Sequence, residues 1–371
     1  MALKKYKLGE LIEVCDERNT LGIRDFYGLN IKKEFMPTAA NTEGLDESKY
    51  KVVRKHRFVF SGMQTGRDVC IRIGMYINTP PIIVSPAYTT FEISRKDLVL
   101  PEYLFISFLS KEKDRYGAFC SDGSIRSNLD WERFCDFDIT LPPLAVQRKY
   151  VAIYLAMQNN LAAYQSKVDE LKTVCDGYMD RLKKAATIVQ LKDYIEPYDE
   201  RNTDGVYTLK DLRGISIEKK FINSKADMKD VSLSPYILVK PTYFSFVPVT
   251  SRNGGKITLA FNDSDNTYIV SSAYNVFRVK DTNRLLPEYL FMFFNRPEFD
   301  RYARFHSWGS AREVFTMDDM NEVKIPIPDI SVQREIVNIH KCYLERQRIA
   351  EELKAQINRL CPVLIKGSLD T

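Results

Sequence analysis

Apolar and aromatic side chains recur at alternating spacings of four and three from Tyr150 to Leu182, through Tyr154, Met157, Leu161, Tyr164, Val168, Leu171, Cys175 and Tyr178. That stripe is an a/d seam, the face one helix lays along another in a coiled coil. A second seam runs through Val332, Ile336, Ile339, Tyr343, Arg346, Ala350, Leu353, Ile357 and Leu360, weakened in its middle by Arg346 and Ala350. Pro142-Pro143 precede the first seam, and Pro326 and Pro328 the second, where proline is tolerated at a helix start. Pro362 is expected to end the second helix. Ahead of each seam the pattern changes to runs rich in Val, Ile, Phe and Tyr, which read as strands. These are 51–60, 69–77 and 81–84 in one place, and 236–249, 256–261 and 268–270 in the other. The phrase LPEYLF, at 100–105 and 286–291, reads as a short buried helix with proline in its first turn.

These paired patterns are one unit written twice. Residues 28–148 laid over 214–334, an offset of 186 without a gap, are identical at 38 of 121 positions. The matches include Gly28/Gly214, Phe35/Phe221, Asp-Arg-Tyr at 114–116 and 300–302, Gly-Ser-x-Arg at 123–126 and 309–312, and Gln147-Arg148 with Gln333-Arg334. Upstream, DERNT occurs at 16–20 and again at 199–203. So long a period excludes a solenoid of short repeats. The chain reads as α+β: domain 1–141, helix 142–186, domain 187–327 and helix 328–371. The second domain lies between the two helices in sequence, so they are expected to pair antiparallel.

Composition narrows the function by exclusion. Net charge is +5 over 371 residues, and the two domain stretches are close to neutral, so charge permits nucleic-acid binding without announcing it. Seven scattered cysteines, none in CxxC spacing, read as reduced thiols, and no apolar run has the length of a membrane span or signal segment. A cytoplasmic protein is the expectation. Three histidines, none near a cysteine in ligand spacing, argue against a zinc or iron site.

Candidate contacts gather at loop tips. In the first repeat Gln64 and Arg67 sit in a glycine-flanked turn between strands, where glycine is expected to supply positive φ; Arg252, Asn253 and Lys256 occupy the matching turn. Arginine suits guanine edges, and asparagine or glutamine suits adenine; a solvated hairpin tip is the plain alternative. Ser124 and Arg126, with Ser310 and Arg312, follow a glycine in both copies and suit phosphate, or else cap the following helix. Asp-Arg-Tyr reads first as an ion pair with a packed ring. DERNT is left open between structure and a phosphate contact through Arg18 or Arg201. Tyr88 and Tyr274 read as core.

The whole pattern resembles the specificity (S) subunit of type I restriction-modification systems. The residues that carry it are GSIRSNLDWERF and GSAREVFTMDDM, the exit phrases ITLPPLAVQRKYVAIY and IPIPDISVQREIVNIH, the long helix after each, and IIVSPAYTTF and YIVSSAYNVF with LPEYLF following. The resemblance implies two similar α/β target recognition domains, each reading half of a split, asymmetric double-stranded DNA target. It implies an antiparallel two-helix coiled coil as spacer and docking platform, with Tyr154, Leu161, Val168, Leu171, Ile336, Ile339, Leu353 and Ile357 among its seam residues. It further implies no catalysis and no cofactor on this chain. Two methyltransferase (M) subunits that bind S-adenosylmethionine and methylate adenine N6 would flank it, and ATP- and Mg-dependent restriction/translocase (R) subunits would join for cleavage. At the loop tips Gly62-Met63-Gln64-Thr65 faces Pro248-Val249-Thr250-Ser251, so the two half-sites are expected to differ.

Other readings compete. An adenine methyltransferase needs a phrase such as Asn-Pro-Pro-Tyr, and Thr79-Pro80-Pro81-Ile82 and Leu141-Pro142-Pro143-Leu144 lack its amide and aromatic. Asn253-Gly254-Gly255-Lys256 is followed by Ile257 and is no phosphate loop. Asp211, Glu218 and Lys220 vaguely suggest a nuclease metal site, but their counterparts are Asp25, Lys32 and Glu34, and surface charge explains them better. A specificity subunit for a type IIB-like fused methyltransferase-nuclease, and a coiled-coil adaptor that binds no DNA, remain as alternatives.

Overall fold

The computed structural model describes residues 3–38, 41–224, 231–251, 254–310 and 312–370. The chain divides into two compact units, Met1–Tyr164 with Ile349–Thr371, and Gln165–Arg348. In the first lie β1 (Lys4–Lys7), β2 (Ile12–Val14), β3 (Phe26–Leu29), β4 (Phe35–Pro37), β5 (Lys51–Val53), β6 (Phe58–Ser61), α1 (Thr65–Asp68), β7 (Arg72–Met75), β8 (Ile82–Val84) and β9 (Thr89–Ile93). After them come α2 (Pro101–Ser107), α3 (Lys111–Cys120), α4 (Trp131–Cys135), β10 (Asp138–Leu141) and the long helix α5 (Leu144–Ala185), whose residues from Gln165 on belong to the second unit. The second unit holds β11 (Ile188–Gln190), β12 (Ile195–Tyr198), β13 (Arg213–Ile215), β14 (Phe221–Asn223), β15 (Ile237–Val239), β16 (Phe244–Phe246), β17 (Leu259–Phe261), β18 (Tyr268–Val270) and β19 (Asn275–Val279). It continues with α6 (Pro287–Phe294), α7 (Pro297–Phe305), α8 (Met317–Asn321), β20 (Lys324–Pro326) and the second long helix, α9 (Ile330–Leu369), whose residues from Ile349 on belong to the first unit.

Duplication is visible in register as well as in sequence. The main sheet runs β2-β9-β6-β7 in one unit and β12-β19-β16-β17 in the other. Phe58 pairs with Phe91 across β6 and β9, and Phe244 with Phe277 across β16 and β19, each pair with rings stacked at 4.8 and 4.9 Å. Both sheets bury these rings beneath the LPEYLF helix, whose Tyr103 and Tyr289 are wholly enclosed. The second sheet differs. It is four-stranded in the first unit, β4-β3-β8-β5. In the second unit, among the described residues, it separates into the ribbons β13-β14 and β15-β18, joined by a parallel bridge between Leu212 and Ile269.

Three polar devices explain why certain phrases occur twice. The buried Gln147 side chain accepts from the Leu100 N–H and donates to the carbonyls of Leu98 and Pro142. Gln333 does the same for Leu286, Arg284 and Pro328. Each glutamine fastens a long helix to the LPEYLF loop by satisfying three backbone groups that burial would otherwise orphan. The aspartate of Asp-Arg-Tyr closes a buried ion pair, Asp114 with Lys33 at 2.6 Å and Asp300 with Lys219 at 2.8 Å. In DERNT the asparagines are buried and hold their own loop, while Arg18 and Arg201 donate to the carbonyls of Lys49 and Pro235. These arginines are occupied as loop fasteners.

Each long helix contributes to both units, and in each unit the two helices run antiparallel. In the first, Val151 and Tyr154 share a core with Ile357 and Cys361, and Gly367 lies against the Tyr150 hydroxyl. In the second, Cys175, Met179 and Leu182 share one with Ile336 and Val337. None of the ten positions of the first seam is exposed.

Three expectations need correction. Pro362 does not end the second helix, which continues to Leu369. The turn around it is retained because Cys361 is fully buried and Leu364 and Ile365 pack on the first unit's core, outweighing one lost helix hydrogen bond. The seam shifts accordingly, with Leu360 exposed and Cys361 inside. The runs 51–60 and 236–249 are each two strands, broken by left-handed residues at the same repeat position, His56 and Thr242. The five-residue strands β9 and β19 lie outside the expected runs, since Glu92 and Arg278 interrupt their apolar stretches.

Candidate nucleic-acid interface

The turn after β6 is built by close approach to another loop. A Cβ on Gly62 would stand 1.9 Å from the Leu129 carbonyl oxygen, and one on Gly66 would stand 2.2 Å from Ser127 Oγ. These glycines are needed for contact, and positive φ falls instead on Gln64 (61°), Val69 (48°) and Ser127 (50°). Left-handed backbone at a β-branched residue costs on the order of 1–3 kcal/mol, so the surroundings must impose it. They do: Val69 N–H is given to Thr65 O, and around Gln64 and Ser127 the Leu129 N–H donates to Gly62 O at 2.9 Å, Gly66 N–H to Ser127 O at 3.0 Å, and Gln64 N–H to Asn128 Oδ1 at 3.2 Å.

The second loop is closed by one carboxylate. Asp122 Oδ1 accepts from Ser124 Oγ at 2.6 Å, from Ser124 N–H at 3.2 Å and from Asn128 N–H at 2.9 Å. Those donors, the Ser124 hydroxyl foremost, hold its carboxyl below the usual range. Gln64, Arg67, Ser124 and Arg126 are thereby brought onto adjoining loops. Arg126 is exposed, with no ion pair among the described residues, beside a fully exposed Ile125.

Gln64 and Arg67 are also tied to each other. Arg67 Nη2 donates to Gln64 Oε1 at 2.6 Å, and Arg72 Nη2 to the same oxygen at 3.3 Å. Asp68 anchors both guanidinium groups, Arg67 through Nε at 2.9 Å, and these cations hold its carboxyl low, Arg67 foremost. Sequence reasoning missed Asp68, Arg72, Asp122 and Asn128. Gln64, Asp68 and Arg72 stand four apart, which is the signal that was available.

The second unit reaches a similar juxtaposition by another device. Phe315 N–H donates to Pro248 O at 2.9 Å, matching Leu129 on Gly62, and Thr250 N–H and Oγ1 both donate to Glu313 O, at 2.9 and 3.2 Å. Val314 bridges to Val249 and to Trp308, so a narrow β-ribbon replaces the carboxylate clasp. Ser310 and Arg312 are exposed on that ribbon's loop, and Lys256 pairs with Glu218 at 3.1 Å. Arg252 and Asn253 lie outside the described residues. Neither serine caps the next helix: α8 is capped by Thr316, and Ser124 bonds within its own loop. A further pair, Phe119 and Phe305, occupies one repeat position beside these loops, 84% and 73% exposed. No cluster of ligands able to hold a metal exists among the described residues, and no helix there is long and apolar enough to cross a membrane.

Comparison with known proteins bears on this arrangement. A family model described as the type I restriction modification DNA specificity domain matches residues 204–359. Among solved structures, the S subunit of a type I restriction-modification system from M. genitalium superposes with a TM-score of 0.60 at 10% identity, over 99% of this chain and 96% of that one. A chain of a type I R-M system, from work on its complex assembly and conformational transition, gives 0.43 at 16% identity, over 99% and 97%. The HsdS subunit from Thermoanaerobacter tengcongensis gives 0.36 at 18%, over 99% and 96%. No curated protein matches by sequence.

Proposed function

From the match of residues 204–359 to the model of the type I restriction modification DNA specificity domain, we propose that this chain is the specificity subunit of such a system. In this reading each unit recognises half of a bipartite, asymmetric double-stranded DNA target. The observation that carries it is the pairing of two loops in each unit, which sets Gln64, Arg67, Ser124 and Arg126 side by side in one and Ser310 and Arg312 beside the 248–250 turn in the other. Guanidinium, amide and hydroxyl donors at a loop tip suit base edges and phosphates. The tips differ between units, which supports two unlike half-sites.

The chain itself supplies no chemistry in this proposal. Adenine N6 methylation belongs to two partner methyltransferase subunits that bind S-adenosylmethionine, and any cleavage to ATP- and Mg-dependent restriction subunits, in the cytoplasm. The paired long helices are the proposed platform for the methyltransferases. Mapping N6-methyladenine in the genome with and without this gene tests the assignment. Loss of methylation at one split motif is expected, and an unchanged map would overturn it. A gel shift separates DNA reading from a DNA-free adaptor, because the former requires preference for that motif over random duplex.

A further inference from the structure

We propose that Gln64 is preset as a hydrogen-bond donor, so that the tip it shares with Arg67 reads a base presenting only acceptors, guanine, in one half-site. This rests on the DNA-reading assignment above and adds the class of base. A carboxamide oxygen has two lone pairs, and the nitrogen beside it carries two N–H groups. Guanidinium groups donate and never accept, so the Gln64 atom facing Arg67 and Arg72 must be Oε1. Two donors at 2.6 and 3.3 Å fill that oxygen. Asp68 holds both arginines in place, and the left-handed backbone of Gln64, fastened by Asn128, fixes the side chain's origin.

What remains free at the tip is uniform in kind. Gln64 Nε2 meets no acceptor among the described residues, and Arg67 Nη1 keeps its N–H groups. The usual glutamine–adenine pair requires the amide to accept from N6 while donating to N7. Here the accepting half of that pair is already spent. Adenine N6 and cytosine N4 would set donor against donor. Thymine offers one acceptor beside a methyl group, whereas guanine offers O6 and N7 together. In the second unit Thr250 stands at this position, and its N–H and hydroxyl are both given to the Glu313 carbonyl. Among the described residues, a glutamine held as a donor therefore stands at the tip of the first unit and not at its counterpart in the second.

Gln64→Glu isolates the point. The carboxylate keeps two acceptors for Arg67 and Arg72, preserving the loop, and removes both free N–H donors. The full chain, assembled with its methyltransferase partner, is titrated with duplexes carrying the methylated split motif. Each base pair is replaced in turn, and guanine is also replaced by 7-deazaguanine. The wild type should prefer guanine at one position of one half-site by roughly 10- to 100-fold. Gln64→Glu should reduce that preference to within about 3-fold, with discrimination at the other half-site unchanged. A guanine preference intact in the variant overturns the inference. So does a collapse at an adenine or cytosine, or a uniform weakening on every duplex, which would place Gln64 on phosphate. If neither protein prefers the split motif over random duplex, the DNA-reading assignment itself fails; preserved preference at the other half-site shows that the variant is folded.

Discussion

Gly123 and Gly309 begin the same Gly-Ser-x-Arg phrase, yet their surroundings differ. A Cβ on Gly123 meets nothing within 4 Å, whereas Gly309 has φ +136° and a Cβ there would stand 2.1 Å from the Arg312 carbonyl oxygen. Alanine at 309 must both strain the backbone and push the loop apart, at about 2–3 kcal/mol, while alanine at 123 should stay within about 0.5 kcal/mol. Urea unfolding of the two variants measures the contrast, and equal losses would mean that the loops are held alike. The residue scale is where reading the sequence reached least far. Donors flanked by glycine marked Gln64 and Arg67 as a tip, but residue type does not announce that Gln64 is left-handed or that its oxygen is consumed by two arginines. The glycines there serve close approach and not positive φ: they make room for Leu129 and Ser127, contacts more than sixty residues away that no local pattern encodes.

Elements were far more legible, because burial imposes a period that packing then enforces. The four-three spacing of α5 survives intact, and the repeated prolines stand at the first turns of α2 and α6. Reading failed where a helix turn is held by a core built from residues distant in sequence, as at Pro362, or where one left-handed residue splits a run, as at His56 and Thr242. On α9, His340 is a further case of context. Burial pushes its imidazole down to about 4, against a smaller opposing pull from Asp176, and Lys172, Cys175, Arg296 and Tyr343 face the same cavity. The folded state thus binds this proton more weakly than the unfolded chain, whose histidine titrates near 6.5. The stability it confers is complete above about pH 6.5 and is lost as pH falls towards 4. Between pH 7 and 5 the wild type should lose about 2 kcal/mol more than His340→Phe, which keeps a ring against Tyr343. Parallel pH profiles of the two proteins would refute this.

Across the whole molecule, sequence order and structural unit do not coincide. The first unit is completed by residues 349–371, which follow the entire second repeat. They bring Ile357 and Cys361 into a core otherwise made by residues 8–161, and Ser368 Oγ bonds the buried Tyr103 hydroxyl at 2.6 Å. Reading the duplication as two successive domains followed by helices described the order of the elements but not this mutual completion. It arises because each helix can bury its seam only against the other, and antiparallel pairing returns the chain's last turns to its first sheet. Removing residues 349–371 should therefore weaken the most distant part of the sequence. Losing two enclosed side chains and a buried hydroxyl pair costs about 3 kcal/mol or more, set against a marginal total. Amides of β6 and β9 should then exchange on the order of 100-fold faster, with those of β16 and β19 less affected. Exchange that rises equally in both sheets, or chiefly in the second, would show that the first unit does not depend on its borrowed turns.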